Sequence, residues 1–406
     1  MLKSRLCIAF FAFAVGCAPA QKPLTDYVNP MLGTATLWDS VDLGFKPTKR
    51  TWGAEVFPGS SLPNAMVQVS PVTKFHSGAG YQYEDSVIYG FTHTNKGHWN
   101  LCHIPLLPVT GTPTPGDYCS PFSHERESAA PGYYQVFLDR YGVDAQLSST
   151  LRCAFHKYTY PAGAAASLLA DLQRSNEHVR AWDIRKEGDN VFAGWQQTGE
   201  KMYFYAVANR PVTGIEPVVE GDREVRIVRF GEGDGALELR IGFSFVSEKN
   251  ARENLEAEML GKSFAEVRSE ATATWNDLLG RIRVEGGTER EKGLFYSSLY
   301  RSFLWPALRS DVNGEFTDVD GKVINPGFRY YTGPSYWDDY RNKLILLGML
   351  APDVAADVIS SDTDKGEKRG GFMPTFFHGD HASAFVAGTY LRGNRGFDVN
   401  RACLLY

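Results

Sequence analysis

No long run of lysine or arginine occurs in the 406 residues, and the formal net charge is −5. An acidic chain without a basic stripe argues against nucleic acid or an anionic membrane surface as partner. Cysteine is scarce, with six in all. Beyond the first twenty residues only Cys102, Cys119, Cys153 and Cys403 remain. Four thiols allow three connectivities, but this irregular spacing is not that of a disulfide framework, and no Cys-x-x-Cys pair suggests zinc. Buried free thiols are the expected state. The chain also has no Gly-x-Ser-x-Gly elbow, no phosphate-binding glycine loop and no His-Glu-x-x-His helix. No segment after the first twenty residues is long and apolar enough to be a transmembrane helix.

What is present begins with an export signal over residues 1–20. Lys3 and Arg5 precede an apolar stretch from Leu6 to Val15, too short to span a bilayer. Two processing sites compete. Ala14-Val15-Gly16-Cys17 has the form of a bacterial lipobox, in which Cys17 would be lipidated, and Ala18-Pro19-Ala20 that of an ordinary cleavage site. The Gly-Cys pair directly after the apolar run favours the lipobox. The expected location is the periplasm or the outer membrane of a bacterium, with a lipid anchor as the one membrane contact.

The length exceeds one ordinary core and suggests two domains. Aromatic residues make up 13%, with 20 Tyr and 8 Trp. Rings of this kind stack on the apolar faces of sugars, and they also fill β cores; composition does not choose between the two. From Gln21 to Val246 the pattern is β-like. Leu237, Leu239, Ile241, Phe243 and Phe245 alternate with Glu238, Arg240 and Ser244, which predicts a strand with one face in a core and one in water. Such strands, separated by Gly and Pro, predict a β-sandwich. Near Glu248 the period changes. Leu255, Leu260, Phe264, Val267, Ala271, Trp275, Leu278 and Ile282 form the stripe of a long amphipathic helix. Thr288 and Glu291 then form a capping-box pattern, with Pro306 beyond the end of that helix. Further helices are predicted over Asp338–Leu350, Asp353–Ser361 and Ala382–Arg392. A last one opens at Asp398 and reaches Tyr406 after about two turns, too few to close a helical domain, so the sequence reads as truncated.

Several stretches could carry chemistry. Thr51 to Pro71 holds two Pro-Gly-rich bends among apolar residues and reads as a structural turn entering a strand. Gly90 to Asn100 gathers His93, His98, Trp99 and two amides; hydroxyl-rich ligands need such donors and a ring. A metal at His93 and His98 lacks an evident third ligand. Tyr336-Trp-Asp-Asp-Tyr-Arg341 opens a helix, where Asp338 and Asp339 serve either as capping residues or, with Trp337, as a sugar clamp that Arg341 pairs with. Phe372 to His381 places His378, Asp380 and His381 ahead of a helix; a cap explains Asp380, and the histidines favour a functional reading. Asp311 to Gly321 lacks the glycine and the glutamate of a calcium loop, so a turn and short hairpin are expected.

The order of these pieces is familiar. Tyr27-Val-Asn-Pro-Met-Leu-Gly-Thr34, Phe57-Pro-Gly59, Met66-Val-Gln-Val-Ser-Pro71, Gly90-Phe-Thr-His-Thr94, Val284-Glu-Gly-Gly287 before Phe295-Tyr296, and Trp337-Asp338-x-Tyr-Arg341 together resemble glycoside hydrolase family 92, the calcium-dependent exo-acting α-mannosidases. The resemblance covers nearly all of the mature chain. It implies a multidomain β then α fold: an N-terminal β-sandwich over 21–247, a helical linker over 248–283 and an incomplete C-terminal α/α toroid over 284–406. It implies inverting hydrolysis of terminal α-linked mannose by an acid and a base about 6.5–9.5 Å apart, with calcium helping to distort the ring. By the family layout the acid, the base and the calcium ligands lie beyond Tyr406, so no catalytic or metal residue is assigned here. Trp337 and Asp338 match the family's mannose subsite. Arg341, His378, Asp380, His381, His93, His98 and Trp99 are the further substrate-binding candidates. Asn64-Ala65, where many members have Phe-Gly, and Asn95 to Cys102, where many have a Gly- and Ser-rich loop, depart from the pattern; both are expected on the leaving-group side. The rival readings are a non-catalytic carbohydrate-binding fragment, and a different glycosidase or phosphorylase of the same layout.

Overall fold

The computed structural model describes residues 22–36, 44–46, 54–96, 99–233, 235–373 and 379–405. Cys17, His98 and His378 lie outside them, and Trp99 is described by its backbone alone.

Alternating apolar residues build two sheets. One has seven strands in the order Ser60–Ser61, Gln68–Val72, Gly90–Thr92, Leu106–Val109, Ser167–Ala170, Arg223–Phe230 and Val212–Glu220. The other has eight, in the order Ala181–Lys186, Val191–Gln197, Lys201–Ala208, Leu237–Ser244, Cys153–Thr159, Val143–Ser149, Tyr133–Leu138 and Glu127–Ala130. Their ladders are antiparallel. Val69, Phe91, Leu169 and Ile227 of the first sheet share one core with Val136, Leu147, Phe204 and Ile241 of the second. This is the face-to-face packing of a β-sandwich.

Leu237, Leu239, Ile241 and Phe243 are buried as their alternation predicts. The opposite face departs from the expectation of water, because Gly242 and Ser244 are buried too. Helix α1 (Glu248–Glu258) crosses that face. A Cβ on Gly242 would stand 2.1 Å from the Ala251 carbonyl oxygen, so only glycine admits the helix at this distance.

The predicted single long helix is two. After α1 the chain turns at Gly261, whose φ is +90°, and α2 (Phe264–Leu279) restarts with a capping box between Ser263 and Glu266. An apolar stripe persists through such a break because both helices face the same core. The second capping box, Thr288 with Glu291, opens α3 (Glu289–Ser302) as expected. Hydrogen bonds from the capped backbone and hydroxyls hold the Glu266 and Glu291 carboxyls below their usual range. The hairpin expected after Asp311 pairs Phe316–Thr317 with Val323–Ile324. The stretch predicted as one helix over 338–350 is a single turn, α4 (Tyr336–Asp339), followed by α5 (Lys343–Leu350). Helix α6 (Pro352–Lys368) runs past its predicted end at Ser361, and α7 (His381–Leu391) and α8 (Val399–Cys403) follow. Asp398 caps α8 by accepting from the Asn400 and Arg401 amides. The thiols are free, but only Cys102 and Cys153 are buried; Cys119 is half-buried and Cys403 exposed on the last turn of α8.

The segment around Asn64 joins sheet to helices. Asn64 Nδ2 donates to the Pro306 carbonyl at 2.8 Å, Gln68 Nε2 to that of Leu304 at 2.7 Å, and Trp275 Nε1 to that of Ser61 at 2.8 Å. Asn64 and Ala65 are buried in this joint rather than open toward a leaving group. On the far side of the joint, Arg152 donates to the Ser310 carbonyl and pairs with Glu258 of α1 at 2.7 Å.

Replacing Gly242 with alanine should push α1 off the sheet and cost about 1–3 kcal/mol or more, the range for overpacking. Urea unfolding measures it, and a loss below about 0.5 kcal/mol, typical of innocuous surface changes, would show that α1 yields freely.

Candidate active site

Ser335 begins the turn of α4, and its hydroxyl donates to an Asp338 carboxylate oxygen. Tyr336 is buried with its ring 6.2 Å from that of Phe385 on α7. Because successive helical residues diverge by about 100°, burying Tyr336 turns its neighbours outward. Trp337 is 46% exposed and Asp338 is exposed. A tryptophan so open beside a carboxylate is a surface that can stack on a sugar ring and accept from its hydroxyls. Asp339 pairs with Lys343 at 2.7 Å. Arg341 pairs with neither aspartate, contrary to expectation; its guanidinium lies 5.1 Å from the Tyr340 ring centroid. The cation–π contact fits its position one residue on, where the aspartates have nearer partners.

The structure brings the second predicted cluster to the first. The Tyr340 and His381 rings stack at 4.4 Å with 12° between planes. His381 Nε2 is buried and has no hydrogen-bond partner among the described residues. Asp380 acts as the N-cap of α7, accepting from the Ser383 amide at 3.2 Å. Trp337, Asp338, Arg341, Asp380 and His381 thus lie on adjoining elements.

Among the described residues, the third predicted cluster is joined to them by a relay of hydrogen bonds through Gln68 and Trp305. Gln68 N donates to the His93 carbonyl at 3.1 Å, Gln68 Nε2 to that of Leu304, and Trp305 Nε1 to that of Gly333 at 3.2 Å, in the segment leading to α4. The His93 side chain is not a surface group. It is fully buried, 3.0 Å through Nε2 from His156 Nε2, with its ring 4.5 Å from that of Phe243. Beyond it, Asn95–Lys96 pairs with Trp99–Asn100 as a small hairpin. His103, not singled out from the sequence, holds the base of this hairpin: Thr94 Oγ1 lies 2.9 Å from its Nδ1 and Thr198 Oγ1 3.1 Å from its Nε2. Thr198 in turn donates to Glu177 at 2.5 Å. No local pattern marks His103, because its second partner, Thr198, lies 95 residues away.

Among the described residues no group of three or more His, Cys, Asp or Glu side chains is placed to hold a metal ion. The described residues therefore offer no such cluster for calcium.

A β-sandwich joined through a helical pair to further helices, with an aromatic–carboxylate surface on them, is the class of a carbohydrate-active scaffold. The chain belongs to glycosyl hydrolase family 92: residues 27–253 match that family's N-terminal domain and 250–405 its catalytic domain. A family 92 α-mannosidase from Bacteroides thetaiotaomicron superposes with a TM-score of 0.84 at 26% identity, covering 94% of this chain and 56% of that one; it has also been solved with mannoimidazole. An inverting family 92 mannosidase from the same species gives a TM-score of 0.82 at 24% identity, over 94% and 55% of the two chains. A curated relative from Arthroderma benhamiae, described as an uncharacterized secreted glycosidase, is 24% identical over 71% of this chain and 42% of its own. The chain thus spans little more than half the length of these solved relatives.

Burial holds His93 neutral, lowering its pKa to about 3, and pushes His156 the same way. Unfolded histidine takes a proton near pH 6.5, so stability is present above that value and is lost as pH falls toward about 3, by ~1.4 kcal/mol per unit for each histidine. His93→Gln should lower the acid slope of unfolding free energy by about one proton. Urea midpoints at a series of acidic pH values measure it, and an unchanged slope would mean that His93 charges in the folded state.

Proposed function

We propose that the chain forms one wall of a pocket for the terminal α-linked mannose of a glycan, in an exported enzyme that hydrolyses it with inversion. The observation that carries this is Trp337, open to solvent beside Asp338 and backed by the Tyr340–His381 stack. In this reading the indole face packs on the apolar face of the sugar. Asp338 accepts from neighbouring hydroxyls with the carboxylate oxygen that Ser335 leaves free, and His381 backs this wall through its stack on Tyr340. His378, His98 and Trp99 remain candidates for the same wall. Inversion requires an acid to protonate the leaving oxygen and a base to activate water from the opposite face. We place both, with the calcium site, in sequence following Tyr406. The secreted fungal relative supports export, and lipidation at Cys17 would tether the enzyme to a membrane.

Three outcomes are expected. The 406-residue chain releases no mannose from an α-linked disaccharide above background; release by this chain would place the acid and base among its own residues. In the enzyme read through the downstream frame, Asp338→Ala lowers kcat/KM roughly 10–100-fold, the size of one to two charge-assisted hydrogen bonds. Unchanged kinetics would remove Asp338 from the pocket. Cys17→Ala moves the expressed protein from the membrane to the soluble fraction, and an unchanged distribution rules out the anchor.

A further inference from the structure

We infer that Asp362 and Lys365 of α6, acting through the Tyr336 hydroxyl, are positioning residues that aim Trp337 and Asp338. The role rests on the mannose reading of those two side chains; the geometry does not. Asp362 is fully buried, and its two oxygens serve two partners: Oδ2 accepts from Tyr336 Oη at 2.5 Å, and Oδ1 pairs with Lys365 Nζ at 2.7 Å. Lys365 Nζ also donates to the Tyr331 carbonyl at 2.9 Å. Both ends of the segment from Tyr331 to Tyr336 are therefore tied to one turn of α6. Between them, Thr332 N donates to the Ala307 carbonyl at 2.9 Å and Trp305 Nε1 to that of Gly333.

These bonds do different jobs. Those at Tyr331, Thr332 and Gly333 fix the incoming strand of chain. The one at Tyr336 acts on α4 itself, a single turn too short to hold its own orientation, together with the Asp339–Lys343 pair at its other end. The peptide that follows Tyr336 carries Trp337, so rotation of the Tyr336 side chain would roll the indole and the Asp338 carboxylate with it. Ring packing on Phe385 centres Tyr336, and the hydroxyl bond to a charged acceptor sets its angle; such bonds are shorter and more directional than neutral ones. Lys365 Nζ, 2.7 Å from Oδ1, holds the carboxylate in place so that Oδ2 faces the Tyr336 hydroxyl.

Tyr336→Phe isolates the claim, since it keeps the ring and removes one hydroxyl. The chain is labelled with 5-fluorotryptophan, and the Trp337 line among the eight tryptophans is assigned by its loss in Trp337→Phe. In the unsubstituted protein we expect a narrow Trp337 line that moves on titration with methyl α-mannoside. In Tyr336→Phe it should shift toward the position of a solvent-averaged indole and broaden, with the sugar dissociation constant raised at least fivefold and the melting temperature lowered by a few degrees, because Asp362 Oδ2 loses its donor. Lys365→Arg, which keeps the charge, should preserve the line; Asp362→Asn is less informative because it leaves Lys365 without its counter-charge. A Trp337 line in Tyr336→Phe that matches the unsubstituted protein, with or without a fall in melting temperature, overturns the positioning role. An unsubstituted line that ignores the sugar overturns the mannose reading, while the comparison with Tyr336→Phe still decides the positioning.

Discussion

Two buried amide side chains, Asn64 and Gln68, hold the backbone of residues 304–306 against the sandwich. A carbonyl buried without a donor is destabilising by about 1–3 kcal/mol, so the chain leaving α3 is constrained to run where those amides reach it. Everything that follows inherits this placement. Trp305 fixes Gly333, the segment after Gly333 opens α4, and α4 presents Trp337 and Asp338. A rigid sheet thereby orients a side chain some 270 residues along the chain, through main-chain acceptors that any residue type provides.

The same economy governs the charges. Asp362 and Lys365 lie inside the helical part, where an unpaired charge would be strongly destabilising, and each is satisfied by more than one partner. The functional surface is the converse. Asp338 is exposed with one oxygen engaged by Ser335, and His381 carries a buried nitrogen without a partner among the described residues. His93 belongs with the support: its pairing with His156, which itself lies 2.6 Å from the Tyr158 hydroxyl, makes a neutral polar core element of a residue whose loop context suggested sugar contact.

Local pattern determined a good deal on its own. The alternation from Leu237 to Phe243, the capping box at Thr288, the change of period near Glu248 and the Asp398 cap each depend on neighbours within a few residues, and each is legible without a fold. The order of short motifs was enough to indicate the family. Tertiary contact decided the rest. Whether the outer face of Gly242 met water or a helix and whether His93 faced out or in were settled by packing, while Arg341 took the ring of its neighbour Tyr340 because Ser335 and Lys343 already engage the aspartates. The bond from Tyr336 to Asp362 and that from His103 to Thr198 have no local signature, because only the folded chain brings those partners within hydrogen-bonding reach, and the free energy of a buried polar group is set by its partners.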